Sequence, residues 1–126
     1  MPKVLLYNIR DEGKRKKLKS MLFALRVSSR EIAPEEQGMT LKDLLKGMED
    51  AERKATIPFT DEMMVMEGLN PRTFNTLLDG MRAKGIRIPL KAVVTEHNMM
   101  WTSAELRDEL VKEHEAMLQG KRAHEE

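Results

Sequence analysis

The chain has 126 residues, 22 basic and 21 acidic side chains, a net charge of +1 and 40% hydrophobic residues, which describes one globular domain of ordinary size. Without a concentrated excess of Lys and Arg there is no global electrostatic drive toward nucleic acid, so a nucleic-acid partner is not expected. The absence of Cys removes disulfides, thiolate nucleophiles, iron–sulfur clusters and thiolate zinc sites together.

The apolar run at residues 4–7 is shorter than the roughly 7 residues of a minimal signal-peptide core or the roughly 20 of a membrane span, which predicts a cytoplasmic protein with no membrane contact. Residues 3–9 (K-V-L-L-Y-N-I) are apolar without alternation, as in a strand covered on both faces. Asp11 can cap a helix whose inner stripe is Leu18, Met21, Leu22 and Leu25 and whose outer face carries Lys14, Arg15, Lys16, Lys17 and Lys19. Residues 27–32 read as a polar edge strand stopped by Pro34. A second helix starts at Leu41, with a Thr40/Asp43 cap, a Met39/Leu44 staple and a stripe of Leu41, Leu44, Leu45 and Met48. Residues 49–56 show no stripe and read as a loop.

Residues 62–67 (E-M-M-V-M-E) are a second two-faced strand. Asn70-Pro71 then provides a cap and a proline at the first helical position, before a stripe of Phe74, Leu77, Leu78 and Met81 that ends at Gly85. Residues 90–95 form the last predicted strand. Thr102 to Glu105 is a capping box flanked by Trp101 and Leu106, opening a helix with Leu106, Leu110, Met117 and Leu118 inward. Residues 1–120 form the domain and 121–126 a polar tail that should fray.

The order β-α-β-α-β-α-β-α predicts a small three-layer α/β sandwich with a mostly parallel four-stranded sheet, strand order 2-1-3-4. The alternative is a ferredoxin-like α+β core in which the second helix is an insertion. The expected core draws on Leu5, Leu22, Leu45, Val65, Leu78, Val93 and Leu110.

The segments V-L-L-Y-N-I at 4–9, M-V-M-E-G at 64–68 and L-K-A-V-V-T-E-H-N-M-M-W-T at 90–102, followed by E-L-R-D-E-L, resemble an uncharacterised bacterial family, domain of unknown function 3783. The resemblance runs over most of the chain and is strongest from Glu62 onward. It implies no activity, substrate or cofactor.

In parallel sheets ligands gather beyond the carboxyl ends of the strands. On the predicted topology those ends would ring one crevice with Asn8, Asp11, Glu67, Thr95, Glu96, His97 and Asn98, with Trp101 at its border. The bland reading of the same residues is that Asn8, Asn70 and Asn98 orient turns and cap helices. His97, His114 and His124 lack metal-ligand spacing, so no metal and no cofactor is expected. Asp11-Glu12 and Glu67 stand loosely where receiver domains keep their acids, but the nucleophile would be Glu and a final Lys is missing. Nucleotide-loop and hydrolase-elbow motifs are absent.

Eight Lys or Arg fall between Arg10 and Arg30 and seven acids between Glu31 and Glu52, which suits contact with an acidic partner protein or with a second copy. Met99 and Met100, in the connector before Trp101, offer an adaptable apolar pair. The favoured function is therefore a non-catalytic interaction or regulatory module, and the alternative a small-molecule-binding or enzymatic domain using the crevice.

Overall fold

Val4, Leu6, Met64 and Met66 on one face and Leu5, Tyr7, Met63 and Val65 on the other are all at most 2% exposed, so the two central strands are covered on both sides. The computed structural model that shows this describes residues 2–48 and 50–125, with side chains described through residue 120. The strands are β1 (Lys3–Tyr7), β2 (Ser28–Ile32), β3 (Met63–Glu67) and β4 (Leu90–Val93), in the order β2-β1-β3-β4. The helices are α1 (Glu12–Ala24), α2 (Leu41–Lys46), α3 (Pro71–Ala83) and α4 (Ser103–Glu125), with a short 3-10 turn at Pro34–Glu36. α1 and α3 pack on one face through Leu18, Met21, Leu22, Leu77 and Met81. α2 and α4 close the other face through Leu41, Leu44 and Leu106. The three-layer α/β architecture and the strand order are as expected, and the face that a ferredoxin-like fold would leave open is covered.

The sheet is mixed. β1 pairs parallel with β2 and β3 parallel with β4, but β1 and β3 run antiparallel with Leu5 opposite Val65. The cause lies in the connection before β3. Asn8 Nδ2 donates to the carbonyls of Phe59 and Asp61, each at 2.9 Å, which pins the incoming chain beyond the end of β1. β3 therefore begins beside Tyr7 and runs back.

This arrangement divides the molecule into two β-α-β-α units whose first strands meet antiparallel about the Leu5/Val65 pair. The two units meet again at Thr40 and Thr102, which form an antiparallel bridge. Around that bridge the hydrogen bonds are reciprocal. Leu41 and Lys42 N–H groups donate to the carbonyls of Trp101 and Met99, and Ser103 and Ala104 N–H groups donate to those of Met39 and Gln37. Each unit thus satisfies the first-turn donors of the other's second helix, which have no partner within their own helix.

The caps form as read: Asp11, Thr40 and Asn70 each accept from the backbone N–H three residues on, and Thr102 and Glu105 close the reciprocal box. Several expected core positions move. Val93 is 48% exposed because β4 is an edge strand, and Met48 stands in solvent because Gly47 ends α2 in a left-handed turn. Met117 and Leu118 are exposed; a 23-residue helix spans roughly 35 Å, far more than a four-residue strand can cover at roughly 3.3 Å per residue. Leu77, not Leu78, is the fully buried member of the α3 pair, while Leu45 and Leu110 are only partly covered. The backbone of α4 continues helical to Glu125, and the expected fraying of residues 121–126, His124 included, concerns side chains outside the described residues.

Candidate functional site

The antiparallel centre decides what becomes of the expected crevice. The carboxyl ends of β1 and β2 lie at one edge of the layer and those of β3 and β4 at the opposite edge, so the predicted ring separates into two groups. Asn8 and Asp11 belong to the first, and Glu67, Thr95, Glu96, His97 and Asn98 to the second.

Most of these side chains hold the backbone. Asn8 ties down residues 59–61, and Asp11 Oδ1 accepts the Lys14 N–H at 2.9 Å to cap α1. Asn98, 8% exposed, is the hub of the second group. Its Oδ1 accepts the Thr95 N–H at 2.8 Å, its own N–H donates to Thr95 Oγ1 at 3.1 Å, and its Nδ2 donates to the Val93 carbonyl at 3.1 Å. His97 packs edge-on against Trp101 with ring centroids 5.1 Å apart. Trp101 itself packs against the core beneath α2 and α4. Glu96 is exposed and Glu67 half-buried at the end of β3. The bland reading of Asn8, Asn70 and Asn98 is therefore what the geometry shows of those three.

A polar knot lies where sequence reasoning placed only core. Tyr7 Oη and Ser103 Oγ are 2.7 Å apart, and the Tyr7 ring lies 5.7 Å from that of Phe59. Buried Gln37 accepts the Phe59 N–H and donates back to the Phe59 carbonyl. Tyr at the end of an otherwise aliphatic strand is the one available signal, since a buried phenol needs a partner. Burial pushes the Tyr7 phenol well up despite the Ser103 bond that opposes it. The Thr102 backbone N–H draws the Glu105 carboxyl down, and the bond that Arg107 donates to Asp61 raises Arg107. All three groups serve internal contacts.

The opposed charge segments meet one another. Glu31 pairs with Arg15 and Lys19, each at 3.4 Å, and Arg30 pairs with Glu36, so much of the predicted polarity is neutralised within the first unit; Glu49 lies outside the described residues. Among the described residues no group of three His, Asp or Glu could hold a metal ion, and no helix is long and apolar enough to cross a membrane. His114 is exposed on α4.

Recesses open on several parts of the surface. One of about 240 Å³ lies beyond β1 and β2, among Asn8, Arg10, Arg15, Glu31, Ile32 and Pro34. One of about 350 Å³ lies between the end of α3 and β4, among Leu78, Met81, Arg82, Ile86 and Lys91. Another, about 530 Å³, lies between α1 and β2, lined by Lys19, Ser20, Phe23, Val27, Ser28 and Ser29.

Residues 62–117 match the family model Domain of unknown function (DUF3783). The match starts one residue before β3 and covers the second β-α-β-α unit, so the V-L-L-Y-N-I segment of β1 lies outside it. No curated protein and no solved structure matches the chain.

Proposed function

Starting from a DUF3783 domain at residues 62–117, we propose that the protein is a non-catalytic interaction module of the cytoplasm. The observation that supports this is the set of large apolar side chains held in solvent by a body whose own core is closed. Phe23 is 85% exposed, Met100 59% and Met117 74%, and the sheet they surround is already covered on both faces. Exposed apolar groups of this size, rimmed by charge, are what a protein partner removes from water.

Affinity capture from the native host, followed by reconstitution with the purified candidate, tests this reading. A defined complex formed from the two pure proteins is the expected result. The second reading is a small-molecule site in the recess beyond β1 and β2, which carries Arg10, Arg15 and Glu31 beside apolar Ile32 and Pro34. A thermal-shift screen of metabolites and metals run alongside separates the two. A ligand that raises the melting temperature in a concentration-dependent way, with no reconstitutable protein partner, would replace the first reading by the second.

A further inference from the structure

The two edges of the sheet are finished differently. On β4, Val94 N–H donates inward to the Met66 carbonyl, so the backbone groups of Val93 and Thr95 turn outward. Asn98 occupies both, accepting from the Thr95 N–H and donating to the Val93 carbonyl, and Pro89 precedes the strand. The carboxyl end of that edge is closed, while Lys91 keeps its backbone groups outward. On β2, Ser28 N–H donates inward to the Pro2 carbonyl, which leaves the N–H and C=O of Ser29 and Glu31 facing outward with no side chain drawn across them. Ser28, Ser29 and Glu31 are all exposed.

Beside this open edge stands a recess of about 530 Å³, with exposed Phe23 in its lining. An extended segment added to β2 would gain main-chain hydrogen bonds from Ser29 and Glu31 and an apolar wall from Phe23 and Val27. Charge selects the occupant. Arg15 and Lys19 share the single carboxylate of Glu31, and Arg26, at the strand's approach, is exposed and without an ion pair among the described residues, so cations outnumber acids beside the recess. A second copy would bring the same cationic excess to the contact.

We propose that the β2 edge and the Phe23 recess form a docking site for an extended acidic strand of a partner protein. This assignment rests on the interaction-module reading and names its surface. The probe is a fluorescent peptide of alternating valine and glutamate, compared with the same peptide carrying lysine for glutamate, on the full chain. The acidic peptide should bind at least about ten-fold more tightly than the basic one. Ser29→Pro, which removes the outward N–H while sparing the bonds to β1, should weaken it by a similar factor. Phe23→Ser, at a position with no packing role, should do the same without changing the melting temperature.

Absence of binding by the wild type, equal binding of the two peptides, or binding unmoved by both variants would overturn the site. So would a concentration-dependent dimer in sedimentation that Ser29→Pro dissolves, since a second copy would then be the occupant. A reconstituted protein partner retained equally by wild type, Phe23→Ser and Ser29→Pro overturns this surface and leaves the module reading standing.

Discussion

The first and second units use the same plan with different chemistry at equivalent turns. After β3 and after α3 the chain takes a left-handed turn at Gly68 (φ 73°) and Gly85 (φ 69°), whereas after β1 and after α1 the same turns fall on Asn8 (φ 59°) and Arg26 (φ 59°). Gly enters that region without steric cost, Asn with little, and Arg against a clash of its Cβ. Asn8 uses the conformation to reach two carbonyls of the connection to β3; Arg26 has no such compensation. The second unit is thus the more regular of the two, and the first carries the strain, the tether to its neighbour and the open sheet edge.

If the units are halves of one cooperative body, breaking either core half should unfold both. Leu18 on α1 and Leu77 on α3 are each 0% exposed in the same cluster. Replacing either with Ala should cost about 2–5 kcal/mol in urea denaturation, in a single transition with an unchanged slope. Leu78→Ala, at the half-buried neighbour, should cost clearly less than Leu77→Ala. Two separated transitions in the Leu18 variant would split the molecule into independent domains.

The polar knot between the units makes a smaller and pH-dependent contribution. Tyr7→Phe leaves the Ser103 hydroxyl without its partner and should cost about 1–2 kcal/mol near neutral pH. Because the folded phenol is raised above its ordinary value of 10.0, the native state keeps a proton that the unfolded chain releases. Its contribution is complete below about pH 10 and declines above it, by up to about 1.4 kcal/mol per pH unit. Wild type should therefore lose stability above that pH more steeply than the Phe variant, in equilibrium unfolding at matched ionic strength. Parallel curves would show that Tyr7 is not buried as described.

In the connector before α4, Asn98→Ala removes the two hydrogen bonds of the side chain, to the Thr95 N–H and the Val93 carbonyl, and should lower stability by about 1–2 kcal/mol. Glu96→Ala, two residues away and exposed, should stay within about 0.5 kcal/mol. Equal effects would mean that the loop is not organised around Asn98. The smallest expected change is a gain: Arg26→Gly gives the first unit the residue that the second has at this turn and should stabilise by about 0.5–1 kcal/mol in the same assay.

What was legible in the sequence was local. Asp11, Thr40, Asn70 and Thr102 announce their helices because a cap needs only the three residues that follow it. Strand order followed from the alternation of elements and the polarity of residues 28–31. The direction of β3 did not, because it depends on where a long connection returns, and that is set by one amide side chain, Asn8, reaching across fifty positions of sequence. The candidate site failed to assemble for the same reason: a crevice inferred from parallel strand ends splits once the central pair is antiparallel. Val93, Met117 and Leu118 were assigned to the core from periodicity, which reports the face of an element but not where its neighbours stop.

The reciprocal hydrogen bonds around Thr40 and Thr102 give the fold a further property. Two such units on separate chains would form a closed symmetric pair, and every substitution would appear in both halves at once. Here one chain joins the two units, and its connection is fastened to the first unit at Lys54, Phe59 and Asp61, so the pairing is intramolecular. Association no longer depends on how much protein is present, nor on the halves staying alike. One sheet edge can be sealed at its carboxyl end by an asparagine while the other stays bare, an asymmetry that no homodimer of a single unit can have.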